Sequence, residues 1–248
     1  MKAKAAVLRL AVTSDIHYSR SSRGQCTELF LRASEEADVL AICGDLTDYG
    51  TVEEAEILAN DLRAYCTIPV LALLGNHDFE SGHQQEVVKI LEGTGARVLD
   101  GECVEIGGIG FVGVSGFGGG FGARMLSDWG EPIVKSFVKH TLDEALKLER
   151  GLNRLHTPQK IALLHYAPIV ETVKGEDPEL FAFLGSTRLE GPLNRFAVTA
   201  AFHGHAHLGA HAGRTTAGVP VFNVSVPVLK RDFPDRPPFL LYPVPTVP

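Results

Sequence analysis

Five short patterns in this sequence bring together side chains able to hold metal ions: Asp15-Ile16-His17, Gly44-Asp45, Gly75-Asn76-His77-Asp78, the single His165, and Gly204-His205-Ala206-His207. Imidazole with carboxylate and amide oxygen, and no thiolate, suits Mn, Fe, Zn or Co, whereas Mg or Ca favours oxygen alone. The set exceeds what one tetrahedral or octahedral ion takes, and a carboxylate such as Asp45 can bridge a pair of ions. Two divalent or trivalent metal ions are therefore expected. Ions about 3.5–4 Å apart are a standard device for displacement at phosphorus, because they stabilise both the attacking and the leaving oxygen. Any one of these patterns alone would be ordinary loop punctuation. Their repetition at strand after strand is what that reading leaves unexplained.

The elements that must position these groups alternate along the chain. Ala5 to Thr13 and Val39 to Cys43 are apolar runs that stop abruptly at polar residues, as buried strands do, and Val70 to Leu74 is a third. Between them lie a helical pattern around Gln25 to Ala37 and another over Thr51 to Tyr65. The second places Ala55, Leu58, Ala59, Leu62 and Tyr65 on one face, with Thr51 and Glu54 spaced as a capping box. Such alternation predicts βαβ units and a mainly parallel sheet with right-handed crossovers. After Gly95 the texture changes to short strands, Arg97 to Leu99, Cys103 to Ile106 and Ile109 to Val114, which suggests an antiparallel or mixed portion. A glycine-rich loop, Ser115 to Gly130, precedes a helix over Pro132 to Glu149, with Leu142, Ala145, Leu146 and Leu148 as its apolar side. Strands are expected again at Ile161 to Leu164, Ala197 to Phe202, Val219 to Val224 and Phe239 to Tyr242. Open α/β sheets bind ligands at the carboxyl ends of their strands. That rule gathers all five patterns at one edge, and glycines 44, 75 and 204 would permit sharp turns just before the ligands.

In the order DxH, GD, GNHD, H and GHxH, these positions resemble the calcineurin-like metallophosphoesterase superfamily, over residues 13 to 207. The spacing, the final GHAH and the segment PVFNV at 220–224 are most similar to its class III cyclic-nucleotide phosphodiesterase branch. The resemblance implies a four-layer α/β/β/α sandwich, with two mixed β-sheets packed face to face and helices on the outside, and the chain length, with no repeat or linker to split it, makes residues 1–248 one expected domain. It puts Asp15, His17 and His207 on one metal and Asn76, His165 and His205 on the other, with Asp45 bridging. A hydroxide held between the ions would attack a phosphodiester in line. His77 would reach the phosphate to stabilise charge or protonate the leaving oxygen, and Asp48 would orient His77 through its carboxylate. One departure bears on substrate. Protein-phosphatase relatives read GDxxDRG, with a phosphate-gripping arginine, where this chain has Tyr49 and then Gly50. Phosphodiesters, among them cyclic nucleotides, are therefore expected ahead of phosphoproteins. Phosphomonoesterase and nuclease activities on the same site are the alternatives, and a non-catalytic binding module of the same fold is the rival from another class.

Composition narrows the partners. The chain has 248 residues, 45% hydrophobic and 21% charged, with a formal net charge of −7, which is the profile of a globular protein. The acidic balance argues against extended nucleic-acid binding, which needs a dense Lys/Arg surface. A small phosphoester is the expected substrate, and a homodimer is left open. No run reaches the roughly 18 apolar residues of a membrane span. The N-terminal stretch carrying Lys2 and Lys4 runs into Arg9 and Asp15 without a small-residue cleavage site, so it reads as a strand and not a signal peptide. Cys26, Cys43, Cys66 and Cys103 show no CxxC spacing, and a reduced, cytoplasmic setting is expected. Asp78 is expected to hold its loop or cap a helix and His203 to pack, while His83, His140, His156 and His211 read as surface groups. Phe117, Phe121, Arg124 and Trp129 could stack on a base or clamp a phosphate, or could only anchor their loop. Phe181, Phe183 and Arg188 invite the same two readings.

Overall fold

The computed structural model describes residues 7–246. Lys2, Lys4 and the first two residues of the expected strand, Ala5 and Ala6, lie outside the described residues. The first half runs β1 (Val7–Thr13), α1 (Thr27–Glu36), β2 (Val39–Cys43), α2 (Val52–Tyr65), β3 (Val70–Leu73), α3 (Gln84–Glu92) and β4 (Arg97–Val98). The second runs β5 (Cys103–Ile106), β6 (Ile109–Val114), α4 (Pro132–Arg154), β7 (Gln159–Leu164), α5 (Phe181–Leu184), α6 (Glu190–Arg195) and β8 (Ala200–His203). β9 (Ala212–Arg214), β10 (Pro220–Asn223), α7 (Val226–Asp232) and β11 (Leu240–Pro245) complete it.

Two mixed sheets result. One has the order β11-β1-β2-β3-β4, parallel except where β11 pairs antiparallel with β1. The other has the order β5-β6-β7-β8-β10-β9, and its central strands β6, β7, β8 and β10 are also parallel. The antiparallel texture expected after Gly95 is thus confined to the margins, at β5 and β9. The reason is the long crossover through α4, which returns β7 alongside β6 in the same direction.

Buried side chains from both sheets, among them Leu10, Val12, Val39, Leu73, Phe111 and Phe202, form one layer between them. Burying an aromatic such as Phe111 contributes about 1.5–3 kcal/mol. On the outer face of the first sheet α1, α2 and α3 supply Phe30, Leu58 and Val87, and on the outer face of the second α4 and α6 supply Leu148, Leu152 and Leu193. The order of layers is α/β/β/α.

Local signals explain where elements begin. Thr51 accepts a hydrogen bond from the Glu54 N–H, and the Glu54 carboxylate accepts one from the Thr51 N–H, closing the expected capping box. Three expectations need correction. α4 continues to Arg154, since Leu152 and Leu155 extend its buried face. Its buried stripe is Val138, Thr141, Ala145, Leu148 and Leu152, while Leu142 and Leu146 are exposed. β8 begins at Ala200 because Ala197, at φ 46°, ends the turn that follows α6.

Candidate metal centre

β1, β2 and β3 of one sheet and β7 and β8 of the other end at the same edge, and each delivers its polar residues there. The loops that follow are tied to one another by backbone hydrogen bonds. Asp15 N–H donates to Gly44 O (3.0 Å), His17 N–H to Asp45 O (3.1 Å) and Gly204 N–H to His165 O (3.1 Å). Carboxylates add to this lacing. Asp45 Oδ1 accepts the His77 N–H at 2.9 Å, and both Asp15 oxygens lie 3.1 Å from the His205 nitrogen.

The chain direction needed for this convergence costs backbone strain. Asp15 (φ 60°), His17 (43°), Asp45 (48°) and His205 (66°) all occupy the left-handed region. Non-glycine residues enter it at roughly 1–3 kcal/mol each and concentrate at functional sites. Gly44, at φ 91°, makes the expected turn. Gly75 serves by close approach: a Cβ there would lie 2.2 Å from Asp45 Oδ1 and 2.4 Å from the Asp45 nitrogen.

Three groups of potential ligand atoms overlap in this space: Asp15, His17 and His207; His17, Asp45 and His77; and Asp45, His165 and His205. His165 Nε2 is 3.3 Å from Asp45 Oδ1 and 2.9 Å from Asn76 Oδ1, which brings Asn76 into the third group. His207 Nε2 is 2.9 Å from Asp15 Oδ1. Every residue that the sequence singled out for metal binding therefore stands at this edge.

Main-chain carbonyls set the tautomers, because a carbonyl only accepts. His165 Nδ1–H donates to Cys43 O (2.9 Å), leaving Nε2 for coordination. His205 Nε2–H donates to Phe183 O (3.2 Å), leaving Nδ1. Such outer partners aim metal-binding imidazoles and raise their basicity. Both ring nitrogens of His17 are buried and without a hydrogen-bond partner, although Asp45 (3.8 Å) and Asp48 (3.6 Å) carboxylates stand nearby. A buried imidazole left in this way fits a ligand that awaits its cation, as does the donor set of imidazole, carboxylate and amide.

Asp48 is placed differently from expectation. Its carbonyl oxygen accepts the His77 Nδ1–H at 2.7 Å, whereas its carboxylate faces His17. His77 also stands ring to ring with His17 at 4.6 Å.

The electrostatics follow from this crowding. Burial opposes ionisation of Asp45, but the charge and hydrogen bond of His165 outweigh it and hold the carboxyl below the usual range. His165, whose burial works against a proton, is raised to about 9 by Asp45 and Asp15. Burial and the neighbouring His165 lower His205 to about 4. The centre is a nest of coupled anions and imidazoles whose protons a bound cation would displace.

A further ring of residues supports it. The buried Asp78 carboxylate accepts from Leu46 N, Thr47 N, Thr47 Oγ1 and Gly75 N at 2.6–3.1 Å, joining the β2 and β3 loops. His203 is fully buried between Gly204 O and Thr172 Oγ1. Asn223 donates to Ala206 O at 2.7 Å, between the two histidines of the last loop. Sequence reasoning missed Asn223, Tyr166, whose ring lies 4.4 Å from that of His205, and the carbonyls of Cys43 and Phe183. Asn223 had a signal, an Asn closing an apolar strand inside the PVFNV segment; the carbonyls had none. His83, His140 and His156 are exposed as expected, but His211 is half-buried, bonded to Asn223 O and packed against Phe233. Of the loop cluster, Phe117 packs on Phe137 and Tyr166 and Phe121 on Phe181, while Arg124 and Trp129 face solvent. Phe183 is exposed, and Arg188 donates to Leu126 O.

The family model for calcineurin-like phosphoesterases matches residues 8–209, well over half of the chain. The chain belongs to that family. Among solved structures, this phosphoesterase shares its fold with phosphopantetheinyl hydrolase (PptH) from Mycobacterium tuberculosis, at TM-score 0.67 and 16% identity over 96% of this chain and 97% of that one. It is also similar to TT1561 of Thermus thermophilus (TM-score 0.56, 15% identity, 90% and 92% covered). A third likeness is to GAP50, the anchor in the inner membrane complex of Plasmodium (0.55, 11%, 91% and 73%). These likenesses speak to the fold alone, and no curated protein matches the phosphoesterase. Among the described residues no helix is long and apolar enough to cross a membrane.

Proposed function

We propose that this chain hydrolyses phosphodiesters, cyclic nucleotides among them, in a centre that holds two metal ions. Asp15, His17 and His207 would hold one ion, Asn76, His165 and His205 the other, and Asp45 would be shared. The observation that carries this reading is the overlap of three ligand groups through His17 and Asp45, which suits a pair of adjacent cations better than a single one. When bound, such ions supply Lewis-acid activation of water and charge stabilisation at phosphorus. His77 does the protein's share of proton transfer. Its Nδ1–H is fixed on Asp48 O, so when the ring is the imidazolium its second proton, on Nε2, is the one given to the leaving oxygen, and the ring is left neutral with Nδ1–H still bonded to Asp48 O.

Tyr49 supports diesters over monoesters. It is 58% exposed at the position where phosphatase relatives carry arginine. Arg20, which lines the same surface hollow, is already paired with Glu53 at 2.9 Å. A monoester's second charge finds no unpaired cation in that hollow. The test compares bis(nitrophenyl) phosphate with the nitrophenyl monoester at matched pH with Mn²⁺, and adds a panel of cyclic nucleotides. A higher kcat/KM for the diester and opening of at least one cyclic nucleotide are expected. Monoester preference without cyclic-nucleotide turnover would make the protein a phosphatase, and no turnover by metal-loaded protein would favour a scaffold role.

A further inference from the structure

Beside the centre lies a groove of about 600 Å³, within the range of small-molecule sites. One end is built by residues that flank the candidate ligands. Leu74 precedes Gly75 and Asn76, Phe79 follows His77 by two residues, and Ser115, also in the lining, accepts the backbone N–H groups of His165 and Tyr166 at 2.9 and 3.0 Å. From there the groove runs between α3 and β4 over Val88, Val98 and Leu99. Phe79 is 46% exposed on it, a large apolar side chain that a ligand would cover. Gln84, in the same wall, has a side-chain oxygen that is buried and has no hydrogen-bond partner. The rest of the lining sets Lys89 against Glu92, Asp100 and Glu102, a balance that disfavours an arm bearing further phosphates.

We propose that, for phosphodiesters whose two ester groups are separate, this groove receives the second ester group, an uncharged and mainly apolar arm with a hydrogen-bond donor for Gln84. The assignment rests on the phosphodiesterase reading and adds to it the side from which the organic group enters, next to Asn76 and His77. Phe79, Val88 and Gln84 are then specificity residues.

Phosphonates test this without turnover. Calorimetric titration of Mn²⁺-loaded protein would compare methylphosphonate, octylphosphonate and 6-acetamidohexylphosphonate. Octylphosphonate should bind at least about tenfold tighter than methylphosphonate, since each buried methylene contributes about fourfold when fully covered. The acetamido arm should gain about threefold to tenfold more through its N–H. Val88→Trp, which fills the groove, should bring octylphosphonate to within about twofold of methylphosphonate, and Gln84→Leu should erase the advantage of the acetamido arm. Equal binding of methyl- and octylphosphonate to the unaltered protein, or an octyl preference that survives Val88→Trp, overturns the site. An acetamido advantage that survives Gln84→Leu overturns the donor assignment. Bis(nitrophenyl) phosphate hydrolysis is read separately: an arm preference without hydrolysis leaves the groove standing and removes the phosphodiesterase reading.

Discussion

The main-chain oxygen of Asp48 lies 2.7 Å from Nδ1 of His77, so the contact that aims the His77 ring runs through the Asp48 backbone and not its carboxylate. The two residues can therefore be separated by mutation. His77→Ala should keep both metals yet lower turnover by about 10²–10⁴, the usual loss for a general acid, and the loss should shrink for nitrophenolate leaving groups, which need no proton. Elemental analysis beside turnover decides it, because metal content falling in step with activity would make His77 a ligand.

Asp48→Ala keeps the carbonyl and removes the carboxylate 3.6 Å from His17 Nδ1. Turnover at saturating metal should fall less than about tenfold, while the metal concentration needed for half activity should rise about 10- to 100-fold, as for loss of an outer partner of a metal-binding histidine. A large loss at saturating metal with unchanged metal demand would return the carboxylate to the catalytic step.

Asp45→Ala should abolish metal-dependent hydrolysis and lower metal occupancy, because the same side chain stands in two of the three ligand groups and also accepts the His77 N–H. Without it two cations would face each other unscreened. An active variant that retains two metals would show that the shared ligand lies elsewhere.

Gly75→Ala places a methyl group 2.2 Å from Asp45 Oδ1. Something must move by about 1 Å, and a displacement of that size at a reacting centre costs on the order of 10²-fold in rate. The loss should appear in turnover and metal retention while circular dichroism keeps its native form.

Asp78→Ala leaves four donors of the β2 and β3 loops without their acceptor. Orphaned buried groups cost roughly 1–3 kcal/mol each, so a loss of about 3 kcal/mol is a modest expectation. For a chain of this size that lowers Tm by roughly 6–12 °C, measurable by calorimetry on metal-free protein.

Much of this was legible in the residues themselves. Runs such as Val39–Cys43 read as buried strands by their length and abrupt polar ends, and those ends meet at one edge once the strands are parallel. What escaped was carried by the backbone. The left-handed conformations of Asp15, His17, Asp45 and His205 are only weakly signalled by residue type, since Asp and His favour that region more than other side chains do yet mostly lie outside it, and the carbonyls that orient His165, His205 and His77 have no signature at all. Leu142 and Leu146 look like core because leucine is apolar, yet only the position of the sheet under α4 decides which stripe is covered.

The His205 nitrogen and the Asp15 carboxylate meet across 190 positions of sequence, one on a loop of each sheet. A chain that has formed only its first sheet owns Asp15, His17, Asp45 and Asn76 but lacks every ligand from the second. With the proposed ligand set, high-affinity binding would require both halves to have docked, and a bound ion pair would act as a rivet at the edge where the two sheets meet. Cations would then slow the parting of the two sheets during unfolding more than the fraying of either one, and added chelator would act on the joint between halves before it acted on the halves themselves.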